Sequence, residues 1–288
     1  MANRGDLTVI VLAEPGPRRD ASVRSVDDQT HTPWRIITVT PSDYPEALAE
    51  VTTSWVTVLP GGCELAPDWC RAVWPYLSAA QLGCVGGSVM RITGPDTSAG
   101  WFEVGEQVSR LSITGYPSSH LEDMPAEHRV EQAEFLAHAN LVTRAWIARR
   151  TAAVGMDPAC GDYGLATSFL AKRAGLQVVY DSHIRSALYH PLDRITALLD
   201  PDGRSWFDSG KQRILALSLY PDRARALFMI TGSFLIGSRA SPGAALGLAY
   251  IWNSRRRQRW MRMMAGKGSA IALLRCPPPP RVGEGHTG

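Results

Sequence analysis

LTVIVLAEPGPRRDASVRSVDDQTHTPWRIITVT, residues 7–40, is the stretch on which the fold turns. Residues 7–12 form an unbroken apolar, β-branched run, the pattern of a strand buried on both faces of a parallel sheet. A polar, proline-containing loop follows, then a helical stretch over 21–28. Residues 35–40 (RIITVT) read as a second buried strand, which makes the whole a βαβ unit.

Downstream, 44–51 is short and helical in character, and WVTVL at 55–59 gives a third strand that ends abruptly at Pro60-Gly61-Gly62. Pro67 and Asp68 suit a first helical turn, where the missing proline amide costs nothing and a carboxylate favours the dipole, so a helix is predicted over 66–80. A fourth strand is predicted over 82–91. Alternation of this kind predicts an α/β fold: a mixed, mostly parallel sheet with helices on both faces. Such sheets bind ligands at the carboxyl ends of their strands, which singles out the loops 13–19, 41–44 and 60–65.

From 94 to 131 the periodicity weakens and Gly, Pro, Ser, His and acids accumulate, the pattern of a long loop-rich excursion with one helix near 102–111. His120, Glu122, Asp123 and His128 gather there, at a spacing that matches no metal motif and favours a solvated loop. Helices are predicted over 144–154 and 163–174, with Gly175 as the cap of the second, and a strand over 177–180. After His190 the character becomes helical: 192–199, 209–219, 224–237 and 244–252. None of these reaches the roughly 18 to 20 apolar residues that cross a bilayer. The expected division is a sheet domain over 1–191, a helical region over 192–276 and a disordered tail over 277–288, which begins with four prolines.

Composition narrows the classes. In 288 residues, 45% hydrophobic and 20% charged content excludes both a wholly disordered chain and a multi-span membrane protein. Five cysteines with no CxxC pair make a poor disulfide framework and fit reduced thiols in a cytoplasmic protein. The apolar run near the N-terminus is shorter than the about 7 to 15 residues of a signal-peptide core, so secretion is not expected. A net charge of +3 does not call for nucleic acid, and none is expected as a partner. The acid-free run RRRQRWMR at 255–262 is either a solvated face or a surface for phosphates; Arg255, Arg256, Arg257, Arg259 and Arg262 would then meet an anionic membrane and make the chain membrane-peripheral.

Four stretches, taken in order over about residues 7 to 191, resemble the family 2 glycosyltransferases. VIVLAE with SVRSVDDQTHTPWRIITV resembles the opening strand, a helix ending in Ser25, Gln29 and Thr30, and the second strand. WVTVLPGGCELAPDW resembles the segment around the family's Asp-x-Asp, with Pro60 and Gly62 where the two aspartates belong. AHANLVTRAWIARRTAAVGMD resembles an acceptor-side pattern carried here by Asn140, Arg144, Gly155 and Asp157. GDYGLATSFLAKRAGLQVVYDSHIRSALYHP resembles the Glu-Asp helix, the next strand and the closing histidine.

The resemblance implies a GT-A fold and inverting transfer of a sugar from a nucleotide-diphosphate donor to an acceptor hydroxyl. The leaving diphosphate needs its charge neutralised, and the attacking hydroxyl needs a base. Asp162, with Gly161 where the family has glutamate, is either that base or a cap for its helix; an ungapped count back from Gly175 puts Tyr163 and Gly164 at those positions instead. His190 stands at the closing histidine. A divalent Mn²⁺ or Mg²⁺ would have to lean on His190, Glu64 or another carboxylate, and the alternative is metal-independent binding. Loop position adds Glu14 and Asp43 on the nucleotide, and Gly61 and Gly62 as close backbone approaches to its phosphates. Trp101 is the tryptophan expected to stack on a sugar, whereas Trp69 and Trp74 fit a core-facing helix. Loss of the acidic motif leaves a second reading, a catalytically inactive or repurposed relative that serves as a binding or scaffolding subunit.

Overall fold

The computed structural model describes residues 6–30, 35–93, 103–106, 110–111, 117–118, 128–159, 162–190 and 206–240. In chain order the elements are β1 (Leu7–Leu12), α1 (Pro17–Asp27), β2 (Arg35–Val39), α2 (Tyr44–Ala49), β3 (Trp55–Pro60), β4 (Cys63–Leu65), α3 (Trp69–Val73), β5 (Leu82–Thr93) and β6 (Glu103–Glu106). Then come β7 (Arg110–Leu111), β8 (Pro117–Ser118), β9 (Val130–Gln132), β10 (Leu141–Arg144), α4 (Ala145–Ala153), α5 (Asp162–Arg173), β11 (Gln177–His190), α6 (Trp206–Ser218) and α7 (Arg223–Ala240).

The main sheet runs β2-β1-β3-β10-β5-β11-β4, with β6 on β5 and β9 on β11, while β7 and β8 pair separately. Along that path β2, β1, β3, β5 and β11 point one way, and β10 and β4 the other. The expected mixed, mostly parallel sheet is thus present. Successive β1 residues serve opposite faces: Val9 and Val11 pack under α1 and α3, and Ile10 and Leu12 under α2, α4 and α5. Each such side chain, fully withdrawn from water, stabilises the fold by about 1.5–3 kcal/mol. Ile214, Ala216 and Leu217 of α6 belong to the second of these cores, so α6 shares a core with the sheet.

Several boundaries differ from the sequence reading, each for a local reason. The first helix begins at Pro17, which occupies the first turn and needs no amide there. β2 lies at the sheet edge with Arg35 and Thr38 exposed, so it is not a buried strand. The helix predicted over 66–80 stops at Val73 and tightens into a 3-10 turn over Trp74–Tyr76, because Pro75 lacks the amide that would continue the α-helical ladder. Near 102–111 the chain forms β6 and β7 instead of a helix, β6 pairing antiparallel with Val89–Ile92 of the longer β5. β11 continues to His190 past an irregularity between Tyr180 and Arg185. Gly175 holds φ +78 after α5, as a helix-ending glycine does. Among the described residues no helix is long and apolar enough to cross a membrane.

Candidate functional site

Three parallel strands end level with one another. Leu12 is in register with Val39 on one side and Pro60 on the other. The Ala13 amide donates to the Val39 carbonyl, and the Gly61 amide to the Leu12 carbonyl, both at 3.0 Å. β2 and β3 flank β1, so their tips stand about 10 Å apart, two strand spacings. The residues beyond the tips are open: Glu14, Pro15, Pro41, Ser42 and Asp43 are exposed, and Pro60 and Gly61 are half-buried. Asp43 is oriented by its own turn, accepting from Thr40 Oγ1 at 2.7 Å and Ser42 Oγ at 3.3 Å.

The turn after β3 joins this rim to β11. Only Gly61 and Gly62 separate β3 from β4, a reach of at most about 10 Å, so the upper part of β11, to which β4 pairs, curls back toward the β3 tip. Gly62 has φ +87 and donates its amide to the Arg18 carbonyl and to Ser22 Oγ, at 3.3 and 3.1 Å. With Gly61 bonded to Leu12, both glycine amides are committed inside the fold. What these glycines supply is missing bulk: a Cβ at Gly61 would stand 2.5 Å from the Ala13 Cβ. Glu64, half-buried on β4, has its carboxyl pushed above the usual range by burial, which Arg24 of α1 partly offsets. His190 ends β11 opposite Thr93.

Arg18 and Arg24 are the residues the sequence reading passed over. Arg18 is exposed in the first turn of α1, and its Cδ lies 3.7 Å from where a Cβ of Gly62 would be. Both lie on α1, Arg18 in its first turn and Arg24 in its last, and the return of α1 past the β3 turn brings Arg18 to Gly62 and Arg24 to Glu64.

The other candidates separate. Asp162 opens α5, nearly buried, with Oδ1 2.8 Å from an Arg213 guanidinium nitrogen on α6. Its neighbour Tyr163 meets Tyr44, the residue after Asp43, hydroxyl to hydroxyl at 2.6 Å, so the start of α5 is tied to the β2 tip. Asn140 has no exposed surface. Its amide nitrogen donates to the Ser88 and Ile184 carbonyls at 2.9 and 2.8 Å, and its oxygen accepts from Trp69 Nε1 at 2.7 Å. This is an internal lock between β5, β11 and α3, where an acceptor-facing residue was expected. Arg144 is opposite Trp55, at the far end of β3 from Pro60, about 17 Å along the strand. There it donates to the Leu82 and Ala79 carbonyls and covers the Trp55 ring at 4.1 Å, far from the rim. Trp69 is core, as read, and Trp74 is half-buried. Trp101, the acids Glu122 and Asp123, His120, and Arg255, Arg256, Arg257, Arg259 and Arg262 lie outside the described residues.

No protein-family model matches the chain, and no curated protein sequence matches it. A solved structure of GalNAc-T7 with UDP, GalNAc and Mn²⁺ superposes with a TM-score of 0.57 at 11% identity, covering 91% of this chain. The chain has a GT-A-like glycosyltransferase fold. At that identity the likeness is one of fold, and this chain covers 56% of the GalNAc-T7 chain, little more than half its length.

Proposed function

We propose that the chain transfers a sugar, with inversion, from a nucleoside-diphosphate donor to an acceptor hydroxyl, in the manner of family 2 glycosyltransferases. The observation that carries this reading is the open, level row of strand tips at β1, β2 and β3 on a glycosyltransferase-like fold. Glu14 and Asp43 take the base and ribose at the outer tips. Arg18, over the β3 turn, faces the diphosphate and supplies the positive charge that the leaving group needs. Asp162, at the start of the helix joined to Tyr44 through the Tyr163 hydroxyl, takes the acceptor proton, and His190 closes the site from β11.

The donor set of the rim does not fit a divalent ion. Mn²⁺ and Mg²⁺ take several oxygen ligands, and the family's two aspartate positions hold Pro60 and Gly62. The acid nearest that turn in the chain, Glu64, is biased toward its neutral form by burial, and Glu14 and Asp43 stand on the separate tips of β1 and β2. Binding is therefore metal-independent in this reading, and no step runs through an ion. The reading keeps the sheet domain at 1–191, the helical region at 192–276 and the tail at 277–288. It also gives the arginine run at 255–262 an anionic membrane surface, tested by flotation with acidic and neutral vesicles.

One observation favours a second reading, a binding or scaffolding subunit without turnover: the Asp162 carboxylate is engaged by Arg213, and a guanidinium partner makes a carboxylate a poorer base. Thermal shift with UDP and UDP-sugars, with and without EDTA, followed by product analysis, separates the two. Stabilisation that survives EDTA, with turnover lost in Asp162→Asn and binding kept, supports transfer. Stabilisation without product supports the binding subunit. If no nucleotide raises the melting temperature and Arg18→Ala changes nothing, the proposed cradle is wrong.

A further inference from the structure

Away from the strand tips, β9 lies antiparallel on β11, with Val130 opposite Asp181. This register brings His128, just before β9, to Asp181 and His183 of β11, more than fifty residues away in the sequence. His128 Nε2 stands 3.0 Å from Asp181 Oδ1. The imidazoles of His128 and His183 stack with centroids 3.8 Å apart and planes 7° from parallel. One ligand atom from each of the three residues lies within 4.8 Å of the others. Both histidines are exposed, while Asp181 is buried.

Asp181 is held in place before any ligand arrives. Its Oδ2 accepts from the Tyr76 hydroxyl at 2.7 Å, and its Oδ1 accepts from the His183 backbone amide at 2.8 Å. The backbone that presents it is also fixed. It forms the irregularity of β11 seated on Gly87, where a Cβ would come within 2.1 Å of the Asp181 and Ile184 carbonyls, so only glycine admits this bulge. Hydrogen bonds that orient a ligating carboxylate are what a metal centre needs around its ligands.

We propose that His128, Asp181 and His183 bind one Zn²⁺ ion in a site separate from the sugar-nucleotide rim. Two imidazoles and a carboxylate suit zinc and its neighbours in the first transition row, in contrast to the all-oxygen sets of Mg²⁺ and Ca²⁺. Bonds of about 2.0–2.2 Å place tetrahedral ligand atoms about 3.4 Å apart, so closure asks for a movement of roughly an ångström. The two exposed rings supply it by rotating about their side-chain bonds. The fourth position faces solvent. Bound there, the ion ties the entry to β9 onto β11 and fixes the end of the long excursion against the sheet. Arg185 to Tyr189 alone spans about 13 Å of strand, so the ion does not reach the rim. The proposal does not depend on the transferase reading.

The test uses the full chain, stripped with EDTA and dialysed, without nucleotide. Titration with zinc against a chromophoric chelator is expected to show one equivalent bound, and His128→Ala with His183→Ala to weaken it by about tenfold or more. Histidine modification by diethylpyrocarbonate, mapped by mass spectrometry on the unmutated chain, needs no variant to fold. Zinc is expected to protect His128 and His183 and to leave the other histidines unchanged. Absence of stoichiometric binding, unchanged affinity in the folded double variant, or unprotected His128 and His183 at saturating zinc would each overturn the proposal.

Discussion

The Tyr189 backbone amide donates to the Gly62 carbonyl at 3.0 Å, closing the turn after β3 onto the end of β11. That bond needs Gly62 at φ +87, a region costing an L-residue about 1–2 kcal/mol. A Cβ there would meet the Tyr189 carbonyl oxygen at 3.5 Å, an ordinary contact, so the cost is in the backbone and not in crowding. Gly62→Ala is therefore expected to lose about 1–2 kcal/mol in urea unfolding, with an unchanged m-value. Gly61→Ala should lose more and also weaken nucleotide binding, because its Cβ would displace Ala13 at the β1 tip. By the same argument Gly62→Asp strains the turn and does not simply restore an acidic pair.

Asn140 separates a structural from a substrate role by measurement. Its side chain makes three hydrogen bonds and has no exposed surface. Asn140→Ala withdraws partners from buried polar groups, which costs about 1–3 kcal/mol for each one left unsatisfied. The expected result is a loss of about 3 kcal/mol or more in equilibrium unfolding. Nucleotide affinity of the folded fraction should stay within about twofold of the unmutated chain. A variant of normal stability with impaired acceptor use would return Asn140 to the acceptor side.

The βαβ start was legible because it is encoded locally: LTVIVL has no face to expose, and the turn signals around it are strong. β3 and its Pro-Gly-Gly turn followed from the same logic. What could not be read depends on pairing across long separations. Nothing near Asn140 says that Trp69 will reach it, 71 residues away. His128 looked like part of a loop cluster with His120, and its partners Asp181 and His183 emerge only from the register of β9 on β11. The helix over 66–80 failed on one residue, Pro75, whose effect is local and was visible. The glycine amides illustrate the opposite error: Gly61 and Gly62 read as free donors for phosphate, and the fold uses both to hold the turn.

The described cysteines give a check on the core. Cys63, Cys70 and Cys84 are buried, and burial pushes each thiol up to about 12. At pH 8 the reactive thiolate is then about one part in ten thousand, before access is considered. Iodoacetamide should leave these three unmodified in the native chain and alkylate them fully in guanidinium, by peptide mapping. Prompt native labelling of any one would mean that the core around β4, α3 or β5 opens easily.

Glu64 carries a prediction in pH. Burial disfavours its ionised form more than Arg24 favours it, so its folded pKa lies above the ordinary glutamate value. A carboxyl raised in this way favours the fold when protonated; that contribution is complete below the unfolded pKa and is lost as pH rises through the folded one. At neutral pH the charge is a modest liability, which Glu64→Gln removes while keeping the shape. The variant should melt above the unmutated chain at about pH 7.5, with the gap closing toward about pH 4, where the unmutated side chain is itself largely protonated. The same substitution lowers the negative charge beside Tyr189, whose hydroxyl is raised by burial and then by Glu64. Affinity for an anionic diphosphate at this rim should therefore rise or hold in Glu64→Gln. A fall in affinity that tracks added Mn²⁺ would instead make Glu64 a metal ligand.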